Sequence, residues 1–563
     1  MADDDQKQFH VSDFDPHNKS PHPLFDMKLH HNTINTTNGD HHNNSAPHHS
    51  PNNKKKNPKT NRYALACALL ASMTSILLGY DTGVMSGAAI YIKEDLKISD
   101  VEIEVLVGTI NIYSLLGAAA AGRTSDWIGR RYTIVFAAVI FFVGAFLMGF
   151  ATNYAFLMAG RFVAGIGVGY ALQIAPVYTA EVAPVSTRGF LTSFPEVFIN
   201  AGVLLGYVAN YAFSKLPLGL GWRFMLGLGA LPSVFLGVGV LAMPESPRWL
   251  VLMGRLGDAK RVLDKTSDSL QESQIRLADI KEAAGIPEDC DDDIVSPPKQ
   301  HGHGGGGSKI WKQLLIHPTP AVRHILIAAL GIHLFQQASG IDSVVMYSPR
   351  IFEKAGITND TDKLLATIAV GFTKTVFILV ATFMLDRFGR RVLLLFSAGG
   401  MAVSLFGLAV GLTIIEQYNH EKITWAIALC ITCTLSSVAF FSIGMGPIAW
   451  VYSSEIFPLQ LRAQGCSMGV AVNRLTSGIL LITFISLYKA ITIGGAFFLY
   501  TGIAVVAWIF FYTLLPETKG RSLEEMETLF GTYCKWRSTM KELQQRKNST
   551  THHSHGEEKD DGN

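Results

Sequence analysis

Charge is scarce in this chain. Asp, Glu, Lys and Arg make up 16% of its 563 residues, where a soluble globular chain carries about 25%. The deficit falls between Tyr63 and Leu515 and excludes an ordinary water-facing domain there. Cysteine is scarce too. The six, Cys67, Cys290, Cys430, Cys433, Cys466 and Cys534, are scattered, four of them in or near apolar runs, so no disulfide framework is implied. Cys430 and Cys433 have CxxC spacing but lie inside an apolar run, where they read as small packing residues rather than a redox or metal pair. No acid, base and nucleophile cluster in a catalytic pattern, so neither an enzyme nor a cofactor is expected. Residues 1–62 hold no apolar core, so no cleavable signal peptide is expected and the first apolar run is expected to direct its own insertion.

What the chain does have is apolar runs of about 20 residues, the length that spans a bilayer. Twelve follow one another, at 63–90, 103–122, 132–151, 154–176, 190–213, 222–243, 322–348, 363–385, 392–416, 424–452, 463–488 and 494–515. The expected fold is therefore an all-α membrane protein. Its 52 glycines suit close helix packing in lipid. The net charge is only +2, but Arg123, Arg130, Arg131, Arg188, Arg248, Arg255, Arg387, Arg390, Arg391, Arg462, Lys519 and Arg521 all fall on one side of such a bundle. The positive-inside rule then puts both termini and the central loop in the cytosol.

The organisation has five parts: a tail at 1–61, a six-span half at 62–243, a linker at 244–321, a second six-span half at 322–515 and a tail at 516–563. The first tail is rich in His, Asn, Pro, Asp and Lys and almost free of large aliphatics. It cannot bury a core, and it reads as a solvated, disordered tail rather than a metal site. In the linker, 258–268 and 273–284 have amphipathic helical spacing, followed by Pro297-Pro298 and the glycines 304–307.

The second half repeats the first. Gly122–Arg131 (GRTSDWIGRR) has an echo in Leu385–Arg391 (LDRFGRR), with Asp126 and Asp386 260 residues apart. Glu181 and Glu455 are 274 apart, and each precedes an arginine, Arg188 or Arg462, by seven residues. Pro244-Glu-Ser-Pro-Arg248 and Pro516-Glu-Thr-Lys-Gly-Arg521 start 272 apart. Two repeated membrane halves are the usual build of a secondary transporter, with the substrate site between them.

These motifs closely resemble the sugar porters of the major facilitator superfamily. So do the segment 176–184 (PVYTAEVAP), Gln336-Gln337 before Gly340-Ile341, and 446–450 (GPIAW). Within that family, 79–87 (GYDTGVMSG), 193–200 (SFPEVFIN) and 336–342 (QQASGID) look like the plant polyol/monosaccharide transporters. The resemblance covers about 63–530. It implies proton symport of linear polyols, cyclic polyols and monosaccharides by alternating access. It implies no cofactor beyond the proton, and a monomer in the bilayer, in the plasma membrane. Nucleic acid is not an expected partner. An uncoupled facilitator and a non-transporting sugar sensor are the alternatives. The first is disfavoured by Asp81 with Arg161, the second by the short carboxy tail.

Two sets of residues follow from this reading. Arg123, Asp126, Arg130, Arg131, Glu181, Arg188 and Glu245, with Asp386, Arg387, Arg390, Arg391, Glu455, Arg462 and Glu517, lie at the cytosolic span ends. Their opposite charges are expected to act as a gate rather than as substrate contacts; the plainer alternative is unpaired positive-inside charge. Inside the spans stand Asp81, Arg161, Glu196, Asp342, Lys374 and Arg474, whose charges sum to zero. Each unpaired intramembrane charge costs about 2.5–3.5 kcal/mol on insertion scales, so each needs a partner or water.

By the resemblance, Asp81 stands at the proton-coupling aspartate and Arg161 at its partner; a static ion pair is the alternative. Glu196, Asp342 and Lys374 stand where sugar porters commonly carry amides, and Arg474 where they often carry Trp, after an amide position filled by Asn473. With Gln336, Gln337, Tyr347 and Trp450 they form the expected substrate site. Two alternatives stay open: Asp342 and Lys374 only neutralise each other, and Tyr347 only packs. Gly444, Gly446 and Pro447 predict a bend before Trp450, and Ser348-Pro349 an outer gate.

Overall fold

The computed structural model describes residues 61–184, 191–287, 290, 292–295, 312–418, 423–458, 461–519 and 530. Among them are twelve helices long and apolar enough to cross a membrane. The first six are Arg62–Leu96, Asp100–Ile128, Arg130–Gly149, Tyr154–Val182, Phe194–Phe213 and Leu218–Leu241. The second six are Pro320–Met346, Asp360–Leu385, Arg390–Gln417, Thr424–Ile456, Gln464–Ile491 and Ile493–Leu514. They are called the first to twelfth spans below. Between the halves, among the described residues, come the α-helices Pro247–Leu252, Leu256–Thr266 and Leu270–Ala284 and a short π-helix, Lys312–Ile316. With six spans in each half, Arg62, the linker helices and Leu514 lie on one side of the bundle, the near end; the other is the far end.

Glycine lets the spans approach backbone to backbone. A Cβ on Gly79 would sit 1.9 Å from the Ile199 carbonyl oxygen, and one on Gly83 2.2 Å from that of Val203. The first span thus lies directly on the fifth, and any side chain at either position would force them apart. At the near end, Gly129 (φ 94°) and Gly389 (φ 89°) turn the second span into the third and the eighth into the ninth. Both glycines adopt a left-handed conformation that costs other residues energy. The repeat seen in the motifs is therefore also a repeat of backbone geometry.

Among the described residues four spans are interrupted: the first at Thr74, the sixth at Leu228 and Gly229, and the seventh and the tenth. The seventh is helical over Pro320–Ala338 and Ile341–Met346, interrupted at Ser339 and Gly340 (φ 83°). The tenth is interrupted at Gly444, between Thr424–Ile443 and Met445–Ile456. The break comes at the first glycine of the Gly-Met-Gly-Pro stretch, where the sequence predicts a bend. Freed backbone groups at such breaks are tolerated only inside protein or beside a polar cavity.

The halves meet from the centre to the far end. Among the described residues, the hydrogen bonds that join them involve Asp100, Glu104, Asn111, Asn200 and Tyr207 of the first half. Their partners are Val345, Arg350, Thr375, Arg474, Ser477, Ser486 and Lys489 of the second. The bundle is closed at its far end.

Candidate functional site

A cavity of about 50 Å³ lies between the halves. Its wall carries Thr82 of the first span, Asn111 of the second and Glu196 of the fifth. The second half contributes Gln336, Gln337, Asp342, Lys374, Trp450 and Arg474. Four charged side chains expected in the spans thus face one space. Lys374 and Arg474 each lie within electrostatic reach of both Asp342 and Glu196. Two bases and two acids balance, which is how such a cluster is tolerated at membrane depth.

The amides are held in place by the broken helices. Gln336 donates through Nε2 to the carbonyls of Met445 and Gly446, both at 2.9 Å, just past the Gly444 break. Its Oε1 accepts from Asn473 at 2.7 Å, and the Asn473 carbonyl oxygen accepts from Gln337 at 3.3 Å. Gln337 Oε1 and Arg474 Nε are buried without a hydrogen-bond partner. An unpaired acceptor and an unpaired donor on one cavity wall are what a hydroxyl-bearing ligand can satisfy. Trp450 packs edge-on against His333, ring centroids 5.0 Å apart, and offers an apolar face to the same space.

Asn473 acts behind the wall through Gln336 and Gln337. Tyr347 is not among the cavity's lining residues. It is buried, donates its hydroxyl to the Leu481 carbonyl at 2.9 Å and stacks on Phe484 at 5.0 Å. The break at Gly340 and the short helix after it aim this ring at the eleventh span, so packing is the role its geometry describes.

Beside the cavity lies the Asp81–Arg161 pair. Arg161 Nη1 is 2.7 Å from both carboxylate oxygens of Asp81, and the side chains are 0% and 2% exposed. Arg161 Nε and Nη2 donate to the carbonyls of Leu106 (3.1 Å) and Val107 (3.4 Å) on the second span. Three spans therefore converge on one buried ion pair, one residue away from cavity-lining Thr82. Removing one member of such a pair strands the other charge at a cost of about 3–5 kcal/mol.

At the near end the two motif sets form mirrored networks. Arg130 bonds Glu181 at 3.1 Å and Asp126 at 3.1 Å, while Glu245 accepts the N–H groups of Arg130 (2.8 Å) and Arg131 (3.1 Å). Arg390 bonds Glu455 at 2.9 Å, while Glu517 accepts the N–H groups of Arg390 (2.9 Å) and Arg391 (3.0 Å). Glu245 and Glu517 each cap the first turn of a span, where the helix dipole favours an anion. Burial pushes the Glu245 carboxyl up, against the pull of those backbone N–H groups and of Arg130. Arg123 and Arg387 are exposed. Arg188 lies outside the described residues, as do the side chains of Asp386 and Arg462.

Among the described residues these pairs join helix ends within one half, not one half to the other, a bracing arrangement within each six-helix unit. Arg130→Ala is therefore expected to lower the maximal uptake rate while changing substrate affinity by less than about tenfold, roughly 1.4 kcal/mol. A variant with normal turnover and lost binding would contradict the bracing role.

Several contributors have no counterpart in the sequence reading. At the far end, Asp100 takes Lys93 (2.6 Å), Arg350 (3.3 Å) and Lys489, which draws together the first, second and eleventh spans and the short helix Ser348–Lys354 that follows the seventh. One turn further on, buried Glu104 accepts the N–H (2.7 Å) and hydroxyl (2.6 Å) of Ser486. Glu104 was detectable as a fourth intramembrane acid. Asn111 and Ser477, described below, carry no such signal, since small polar residues in a span usually read as packing.

The broken seventh and tenth spans, a polar cavity between repeated halves and a buried acid–base pair define a secondary transporter. The family model for "Sugar (and other) transporter" matches residues 67–530. Polyol transporter 5 of Arabidopsis thaliana is 67% identical over 86% of this chain and 89% of its own length. The glucose transporter GlcP of Staphylococcus epidermidis is 34% identical over 83% of this chain and 97% of its own. A solved structure of the proton:xylose symporter XylE bound to 6-bromo-6-deoxy-D-glucose superposes with a TM-score of 0.67 at 28% identity. That match covers 83% of this chain and 99% of XylE. The chain belongs to the sugar transporter family of the major facilitator superfamily. It is an integral multi-pass membrane transporter and not an enzyme.

Proposed function

We propose that the protein is a proton-coupled symporter that imports linear and cyclic polyols and monosaccharides by alternating access. In this reading it works as a monomer in the plasma membrane, with the near end cytosolic and the proton its only coupling ion. The observation that carries the proposal is the sealed Asp81–Arg161 pair beside the cavity. A carboxylate held by a guanidinium keeps its charge, whereas one left in apolar surroundings without it takes up a proton. Arg161 is also tied to the second span, which closes the far end. Opening that end moves the second span, loosens Arg161 and frees Asp81 Oδ1 or Oδ2 to take a proton from outside. Reclosure drives the guanidinium back and expels the proton to the cytosol.

The polyol preference is supported by the cavity and by the relative named a polyol transporter. Gln337, steadied by Asn473 and Gln336 behind it, keeps an amide oxygen that can accept from a hydroxyl. Asp342 and Glu196 add charged acceptors, which make stronger hydrogen bonds to a flexible chain of hydroxyls than amides do. Uptake of labelled sorbitol, myo-inositol and glucose into cells lacking their own carriers tests the reading. The expected result is accumulation of all three, strongest for a polyol and abolished by a protonophore. Uptake that a protonophore leaves unchanged makes the carrier a facilitator.

A further inference from the structure

The link between Arg474 and Asp342 runs through a side chain of the other half. Asn111, buried on the second span, accepts at Oδ1 from Arg474 Nη1 (3.4 Å) and donates through Nδ2 to Ser477 Oγ (3.1 Å). The Ser477 hydroxyl in turn donates to Asp342. Arg474 and Ser477 are three residues apart on one helix face, so the amide ties Arg474 of the cavity wall to buried Ser477 behind it. An adjoining donor and acceptor at that place are also what two neighbouring hydroxyls of a polyol present.

Placement points the same way. Asn111 lines the cavity from the first half, while Gln336, Gln337, Asp342 and Arg474 line it from the second. Gln336 and Asn473 are fixed by the hydrogen bonds already described, and Asp342 is balanced by the bases. Asn111 is the amide that reaches in from the opposite half, and its half moves when the far end opens.

We propose that Asn111 is a surrogate ligand. Without substrate, its amide occupies the hydrogen-bonding position on Arg474 that a polyol hydroxyl takes on binding, and substrate displaces it. Asn111 is thus a positioning residue that keeps the charged cluster satisfied while the carrier is empty. The inference rests on the transport reading above. Its consequence has a definite sign. A group that competes with substrate lowers the fraction of binding-competent carrier and weakens apparent affinity. Removing a substrate contact weakens binding; removing a surrogate tightens it.

Equilibrium binding of labelled sorbitol to the purified full-length carrier tests this. Asn111→Ala is expected to lower Kd by about threefold to tenfold, the range for the net contribution of one hydrogen bond. Asn111→Ser, which keeps one hydroxyl, is expected to fall between Ala and wild type. A Kd that rises or stays the same in Asn111→Ala overturns the proposal, because a direct contact raises it and a packing role does not lower it. If Asn111→Ala fails to fold, Asn111→Ser is held to the same sign. A wild-type protein that binds none of sorbitol, myo-inositol or glucose overturns the transport reading and this inference with it. Wild-type binding with the wrong sign in the variant overturns this inference alone.

Discussion

Asp81→Asn is expected to abolish accumulation of substrate against a gradient while leaving exchange of internal for external substrate measurable. The amide keeps the size of the side chain and can accept from Arg161, but it cannot carry a proton. Arg161 keeps its bonds to the carbonyls of Leu106 and Val107, so part of its hydrogen bonding survives. The stranded guanidinium still costs about 3–5 kcal/mol, and protein abundance in the membrane must be measured alongside. The check is labelled sorbitol uptake with simultaneous recording of cytosolic pH. A variant that still concentrates substrate and acidifies the cytosol as wild type does would place the coupling proton elsewhere.

The charged cavity supplies the second large effect. Asp342→Asn leaves Lys374 and Arg474 facing Glu196 alone, with net positive charge buried at membrane depth. The expected loss is about 3–5 kcal/mol, enough to remove most of the folded protein. The double variant Asp342→Asn with Lys374→Asn restores neutrality and the amides common in hexose carriers. It is expected to recover abundance and to shift the polyol-to-hexose uptake ratio towards hexose. Glu196→Gln is expected to shift the ratio in the same direction. Rescue of abundance with an unchanged ratio in both variants would make these charges structural.

How much of this was legible beforehand follows from what each signal measures. The twelve spans were legible because lipid forbids exposed charge, so their positions are recorded as charge gaps in the sequence. The bend in the tenth span was legible because Gly444, Gly446 and Pro447 weaken helix hydrogen bonding wherever they stand. The pairing of Glu245 and Glu517 with the starts of the third and ninth spans was hinted at by the repeat. That these acids bind backbone N–H groups rather than arginine side chains was not, since the contact depends on the turns at Gly129 and Gly389. For Tyr347 the sequence leaves contact and packing both open, because its direction is set by the break at Gly340 and the short helix after it.

The Asp100 cluster and the Asn111–Ser477 bridge were illegible for a different reason. Both join residues more than 200 positions apart in sequence and exist only because the halves meet. A lone aspartate at a span end reads as surface charge, and a lone asparagine in a span as packing. Only the closed far end gives them partners.

The central claim is that uphill movement of a polyol is driven by protons. Its most direct test uses purified full-length protein in sealed liposomes with an imposed inward proton gradient and labelled sorbitol outside. The account predicts transient accumulation of sorbitol above the external concentration, and sorbitol-dependent acidification of the lumen. Both should be absent with Asp81→Asn and with a protonophore. Sorbitol that only equilibrates across the membrane, at the same rate with and without the gradient and with no proton entry, would contradict it.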